Sequence, residues 1–398
     1  MSIRQQNLGS IVKPGFNPLA AGVDQYKGIW TMQQVNAAVA AGTWTGLPQL
    51  WGWGWNSGGL LGLGDAANRS SPNQVGTLTN WNNVAIANNS TAATKTDGTL
   101  WSWGANTNGA LGLGNTTPYS SPKQVGALTT WLSTAGIGIS SMLAIKTDGT
   151  LWSWGNNAYG QLGLGNITNY SSPKQIGALT TWLNIAGGYV HTIAIKTDGT
   201  LWTWGRNTNG QLGLGNITDY SSPKQVGALT TWLNIAGGHY HTIATKTDGT
   251  LWTWGRNTNG QLGLSNTSSY SSPKQVGVLT VWAAIEGNDT STYSTTTSGA
   301  LYAWGQNNNG QLGLGNITSY SSPKQVGALT TWLKLTAGNY FAVATKTDGT
   351  LWTWGANGFG MLGLGNITYY SSPKQVGTLT SWLKISAGRY STFAIKTT

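Results

Sequence analysis

The sequence predicts an all-β fold, a seven-bladed propeller of four-stranded blades, and three observations predict it. Trp-x-Trp-Gly or a close variant starts at Trp51, Trp101, Trp152, Trp202, Trp252, Tyr302 and Trp352, at spacings of 50, 51, 50, 50, 50 and 50 residues. A period near 50 residues is that of a propeller blade, because one small sheet cannot bury both of its faces and must stack on neighbours around an axis. Each unit also carries the same punctuation: a "TDGTLW" turn, the Trp strand, an "NxxGQLGLGN" loop, "SSPKQV", then "LTTW" and an "AGG" strand. Asp-Gly between alternating apolar runs is a strong hairpin signal, since a tight β-turn needs a positive φ that glycine adopts without steric cost. The third observation is that the ends are complementary halves. "LKISAGRYSTFAIKTT" stops where a Trp strand should follow, and "GLPQLWGWG" begins without the strand that should precede it. If Ile385 to Lys396 supplies the inner strand of the blade that continues at Leu50 to Gly54, the ring closes and no open sheet edge remains.

Composition agrees with an all-β reading. There are 23 tryptophans but 4 phenylalanines, 58 glycines, and only 8% charged residues. Tryptophan, tyrosine, threonine and the β-branched residues favour pleated, half-buried surfaces. No cysteine occurs, which excludes a disulfide framework and a thiolate metal site. The N-terminal "MSIRQQNLGS" lacks the apolar core of a secretory signal, and no apolar run reaches membrane-spanning length.

The chain divides into an arm, residues 1–46, and the propeller, residues 47–398. Within the arm, Thr31 followed by Gln34 reads as a capping box, Met32, Val35 and Val39 share a helical face, and Gly42 is a stop. A short helix over about 31–41 is expected there. The preceding stretch reads as an extended segment that serves either as an anchor to other proteins or as a strap on its own propeller.

Strings such as "AGGYVHTIAIKTDGTLWTWGRNTNGQLGLGN" (Ala186 to Asn216) resemble the repeat of the regulator of chromosome condensation family. The resemblance implies a seven-bladed propeller closed by pairing of both termini. It does not imply one activity, because the family includes an exchange factor for a small GTPase, a secreted enzyme inhibitor and many bacterial and viral proteins. The exchange activity depends on a protruding wedge, and units this uniform leave no room for one. The arm, with its Gly-x-Trp-Thr start and closing Gly-Thr-Trp, is similar to short stretches of tailed-bacteriophage structural proteins, which implies attachment to a virion.

Catalytic chemistry finds little to work with. Five of the ten acidic residues are the turn aspartates Asp97, Asp148, Asp198, Asp248 and Asp348, leaving Asp24, Asp65, Asp219, Glu286 and Asp289. No paired-carboxylate site is expected, no cofactor is implied, and no enzyme activity is assigned. His191 and His241 fall at equivalent positions of adjacent units, with His239 two residues before His241; a structural hydrogen bond is the preferred reading over a metal site.

The net charge of +11 has a pattern. The "KTDG" lysines are each followed by an aspartate, so the surplus comes largely from Lys123, Lys174, Lys224, Lys274, Lys324 and Lys374, one per "SPKQ" segment. Ring symmetry turns these into a candidate site for polyanions; duplication of one solvated lysine is the preferred reading.

The most informative feature is where nearly identical copies differ. Three successive positions read Asn88-Asn89-Ser90, Ile139-Ser140-Ser141, Tyr189-Val190-His191, His239-Tyr240-His241, Asp289-Thr290-Ser291, Asn339-Tyr340-Phe341 and Arg389-Tyr390-Ser391. These windows should stand at one mouth of the central channel. The binding surface expected there is an aromatic arc of Tyr189, His239, Tyr240, Tyr340, Phe341, Arg389 and Tyr390, residue types that give rigid contact area at low entropic cost. A second varied row, Ala105, Asn156, Arg206, Arg256, Gln306 and Ala356, follows each Trp-Gly. The expected function is non-enzymatic binding by a virion-associated tail, fibre or decoration component. In that reading residues 1–46 attach to other virion proteins and the propeller face recognises a host surface glycan or protein. The alternatives are a free protein-binding inhibitor or scaffold, or a polyanion-binding propeller. Nucleic acid and membrane are not the expected partners, and localisation in the virion is expected, with the cytoplasm as the alternative.

Overall fold

Seven four-stranded antiparallel sheets radiate from a central channel in the computed structural model, which describes residues 11–12, 29–30, 47–138 and 140–397. The expected helix over 31–41 lies outside the described residues. Ile11–Val12 pairs antiparallel with Ile29–Trp30.

One blade serves for all. Its strands are Trp182–Gly187, His191–Lys196, Leu201–Gly205 and Tyr220–Gln225, hydrogen-bonded in chain order from the channel outward. Ile193 pairs with Thr203 and Ala186, and Trp202 pairs with Gln225. The third strand is buried on both faces: Leu201, Thr203 and Trp204 are buried and Trp202 is half-buried, because a pleated strand sends successive side chains to opposite faces and two neighbouring blades cover both.

The turn from second to third strand explains the "KTDGT" phrase. Gly199 has φ +76°, and a Cβ there would lie 2.1 Å from the Thr230 carbonyl oxygen. The Asp198 Oδ1 accepts the Thr200 N–H at 2.9 Å and the Thr200 hydroxyl at 2.6 Å, and these bonds, the hydroxyl's first, hold its carboxyl below the usual range. Lys196 does not ion-pair with it. Its ammonium lies 3.6 Å from the Trp202 ring centroid and 5.0 Å from that of Trp182, a cation held between two indoles, with burial pulling its pKa down. The apparent charge pairing in the sequence is therefore two separate arrangements.

Blades interlock through the second tryptophan of Trp-x-Trp-Gly. Trp204 is fully buried and donates its Nε1–H to the Gln161 carbonyl of the preceding blade at 2.9 Å. Gly163 packs so closely that a Cβ there would sit 2.6 Å from that nitrogen, which accounts for the second glycine of "GQLGLG". The loop is shaped from within by buried Asn207, whose Oδ1 accepts the Leu212 N–H at 2.9 Å while its Nδ2 donates to the Asn216 carbonyl at 3.0 Å.

Closure follows the same rules, with a division the sequence reading placed differently. The stretch Ile385 to Lys396 is not one inner strand. It spans parts of two, Trp382–Ala387 at the channel and Ser391–Lys396, joined by a turn, and the N-terminal side adds Gln49–Gly54 and Arg69–Thr79. Ser391 opposes Gly54 and Ile395 opposes Leu50, the register of every other blade. Trp53 donates to the Met361 carbonyl at 2.9 Å, completing the set of interlocks across the seam.

Removing residues 385–398 should abolish the single cooperative melting transition, because the seam blade loses its second strand, Trp81 and Trp103 lose Phe393 and Ile395, and Trp53 loses Ala394. Calorimetry checks this; a truncated chain that melts like the intact one contradicts ring closure.

Candidate binding site

The channel is walled by the seven innermost strands and encloses about 340 Å³. Its wall is mostly small or aliphatic, from Val84, Ala186 and Ile235 to Ala337 and Ile385. Of the two carboxyls on its lining, Asp289 stands at the mouth and Glu286 on the wall, and burial pushes Glu286 up to about 8, against a hydrogen bond from the Gly287 N–H that pulls the other way.

The varied windows stand at one mouth, where each innermost strand turns into the second. Gly188 to Val190 form this turn in the representative blade. Tyr189, His239, Tyr240, Tyr340, Arg389 and Tyr390 are all half-buried there, with a face or edge left to solvent.

Phe341 is the exception, and the structure corrects its assignment. It is fully buried, as are Ser90, Ser141, His191, His241, Ser291 and Ser391 at the same position. That position is the first residue of the second strand, and its side chain enters the space between blades. His191 and His241 belong to this layer. The His191 Nε2 lies 3.0 Å from the Thr242 hydroxyl of the next blade, and the His241 Nε2 lies 2.9 Å from that of Thr292. Each threonine hydroxyl already donates to a carbonyl, Gln211 and Gln261 respectively. The imidazoles must therefore donate from Nε2, which places them as neutral structural bonds between blades.

The remaining arc is connected. The Tyr189 and His239 rings stack at 4.5 Å and 23°, and Tyr240 meets Tyr189 edge-on at 5.8 Å. The His239 Nδ1 lies 2.8 Å from Asp289 Oδ1, and the Tyr340 hydroxyl donates to Asp289 Oδ2 at 3.3 Å. Burial pushes the Asp289 carboxyl up, but the His239 and Tyr340 contacts outweigh it and leave its pKa lowered. Burial, then the adjacent Asp289 charge, pushes the Tyr340 hydroxyl up and keeps it a donor. One chain of contacts thus runs across four blades, from Tyr189 through His239 and Asp289 to Tyr340.

A second cluster lies at the seam. The Tyr390 ring is 5.4 Å from Phe359 and 6.3 Å from Trp55, and the Arg389 guanidinium lies 5.0 Å from the Tyr390 centroid. Sequence reading missed Trp55 and Phe359. Trp55 is the first-blade member of the row that follows Trp-Gly, and Phe359 stands where other units have Asn209, Asn259 or Asn309, so both were visible as departures from the repeat. Of that row, Arg206 and Arg256 flank Tyr240, at 6.0 and 5.8 Å from its centroid, whereas Ala356 is buried.

The six lysines do not join the arc. Lys123, Lys174, Lys224, Lys274, Lys324 and Lys374 stand exposed on the outermost strands, each with its ammonium 5.3 to 5.6 Å from the ring of the tyrosine four residues before it. They ring the circumference, away from the mouth. Among the described residues no group of His, Cys, Asp and Glu with metal-binding geometry occurs.

With this geometry in place the relatives are informative. The RCC1-like domain matches residues 33–291, and the regulator of chromosome condensation (RCC1) repeat matches residues 298–345 and 348–395. The chain belongs to this family of repeat propellers. Human WBSCR16 superposes with a TM-score of 0.79 at 20% identity, over 88% of this chain and 99% of that one. Prp20p of Saccharomyces cerevisiae, studied for its binding to Gsp1p and histones, gives 0.78 at 20% identity over 89% and 92%. The yeast protein bound to Kap60 gives 0.78 at 19% identity over 88% and 89%. These likenesses establish the fold. They also overturn the placement in a virion that the arm suggested, since the superposing propellers are a human and a yeast protein and neither is a virion component.

The buried groups make a pH prediction. Burial pushes His191 and His241 down from 6.5 to about 3. The unfolded chain therefore takes up protons first, and stability is lost as pH falls below 6.5. Glu286 works in reverse: raised from 4.5 to about 8, it keeps a proton that the unfolded chain has released, and stability falls as pH rises between those values. Below 6.5 two histidines outweigh one carboxyl, so the melting temperature should peak near that pH. Glu286→Gln should flatten the decline toward pH 8; a wild-type protein whose melting temperature still rises over that range contradicts the assignment.

Proposed function

We propose that the chain is a non-enzymatic protein-binding propeller, acting as an inhibitor or scaffold, whose recognition surface is the aromatic mouth. The observation that carries this reading is the Tyr189, His239, Asp289, Tyr340 chain: aromatic side chains fixed by stacking and hydrogen bonds, in the window where otherwise copied blades differ. Tyrosine, tryptophan and arginine dominate the binding energy of protein interfaces because they combine large rigid area with a polar end. Here they stand on a ring whose core is indifferent to their identity. The relatives support the class of partner, since Prp20p is described by its binding to Gsp1p and histones and in complex with Kap60.

The test is to capture partners on the immobilised full chain, purify the main one, and titrate it against variants. Changing Tyr240 and Tyr390 to Ala should weaken binding about 30-fold or more, the equivalent of about 2 kcal/mol, with the melting temperature nearly unchanged. The variant Lys174→Ser, Lys224→Ser, Lys274→Ser should bind as the wild type does. Loss with the lysine changes and none with the tyrosine changes would favour a polyanion on the circumference instead.

A further inference from the structure

Two arginines stand in matching places on adjacent blades, and neither forms an ion pair among the described residues, although the Asp289 carboxylate lies close enough to feel the Arg256 charge. Arg206 and Arg256 each follow Trp-Gly and each donate Nε–H to the threonine two residues on, Thr208 at 3.1 Å and Thr258 at 2.9 Å. That bond fixes the guanidinium and leaves both Nη groups without an acceptor among the described residues. Both guanidiniums lie against the Tyr240 ring, and Arg206 also lies 4.9 Å from Tyr159. The nearby carboxylates are already engaged: Asp289 by His239 and Tyr340, and Asp219 by the Asn207 backbone N–H at 2.6 Å. The other ion pair among the described residues, Arg69 with Asp65, shows that surface arginines here do find carboxylates when one is in reach.

We propose that Arg206, Tyr240 and Arg256 form an anchor for acidic side chains of a protein partner, with carboxylates taken up by the guanidiniums beside the tyrosine ring. This rests on the protein-binding reading of the mouth and specifies the chemistry of what enters it. A guanidinium presents paired donors that match the two oxygens of a carboxylate, and pre-fixing it at Nε lowers the entropy lost on binding. The tyrosine beside them supplies apolar area for the methylenes of a glutamate. A protein is favoured over a nucleic acid by the distribution of cations. A phosphate backbone needs a run of positive groups along its path, whereas here the lysines stand on the circumference and Arg206 and Arg256 lie against Tyr159 and Tyr240.

The experiment uses the full chain and a short fluorescein-labelled Glu-rich peptide followed by anisotropy, beside a Lys-rich peptide and a single-stranded oligonucleotide. The acidic peptide should bind in preference to both. Arg206→Ser with Arg256→Ser should weaken it at least tenfold, the loss expected from removing a charge-assisted hydrogen bond. Arg206→Lys with Arg256→Lys should restore part of the affinity, and Tyr240→Phe should keep most of it. Since both arginines are half-buried surface groups, the melting temperature of each variant serves as the folding control. Three results overturn the anchor: no binding of the acidic peptide, binding lost with the Lys174, Lys224 and Lys274 changes but not with the arginine changes, or tighter arginine-dependent binding of the oligonucleotide. A captured partner that is lost with Tyr240→Ala and Tyr390→Ala, yet indifferent to the arginine changes, also rejects the acidic anchor while leaving the aromatic mouth in place.

Discussion

One hydrogen bond, repeated around the ring, holds the molecule in its shape: the indole N–H of the second tryptophan in each blade donates to a loop carbonyl of the blade before it. The acceptors are Met361, Leu60, Ala110, Gln161, Gln211, Gln261 and Gln311, for Trp53, Trp103, Trp154, Trp204, Trp254, Trp304 and Trp354. A buried carbonyl has two lone pairs, and leaving polar capacity unused in an apolar interior is costly. Most blades use the second lone pair as well, through a threonine hydroxyl such as Thr192 on Gln161 or Thr242 on Gln211. Bulk, polarity and ring geometry are therefore set by one residue pair, and truncating such a tryptophan to alanine would cost on the order of 3–5 kcal/mol.

The blades that break this pattern show that it is a constraint. Met142 and Ala342 stand where the other five blades have the threonine; at Gln311, which faces Ala342, the Tyr293 hydroxyl of Gln311's own blade reaches the carbonyl at 2.8 Å instead. That blade departs elsewhere too. Thr296 and Ser298 replace the lysine and aspartate of the turn, and Tyr302 replaces the first tryptophan, so the cation and one of its two indoles are absent together. The Thr296 hydroxyl takes over the turn by bonding with the Ser298 hydroxyl at 2.9 Å, and Tyr302 approaches Trp282 to 5.4 Å, closer than the 6.0 to 6.3 Å of the tryptophan pairs at this place. With the scaffold this tightly coupled, much of the variation between blades falls at the mouth, where side chains are half-exposed.

Much of this was legible because repetition exposes it. The 50-residue period, the Asp-Gly turns and the complementary ends determine blade number and closure from the sequence alone. What was illegible has physical reasons. Phe341 looked like a member of the arc because a three-letter window hides the change of direction between a turn and the first residue of a strand, whose side chain enters the core. The lysine and aspartate of "KTDG" looked like a pair, but adjacency along a turn does not set geometry: the aspartate bonds to a threonine and the lysine slides between indoles. Trp55 and Phe359 lie 304 residues apart and meet only because the ring closes, so no local reading joins them. The likeness of the arm to virion proteins rested on a short string, and the family match with its human and yeast relatives outweighs it.

The seven indole bonds form one closed, cooperative ring, with the seam no weaker than the rest. Hydrogen exchange of the tryptophan indole protons, followed by NMR on protein labelled with nitrogen-15 at tryptophan, tests it directly. Trp53, whose acceptor Met361 lies 308 residues away across the seam, should exchange as slowly as Trp204 and Trp254, each of which spans 43 residues. A Trp53 indole that exchanges well ahead of the other six would show that the ring is open at the seam.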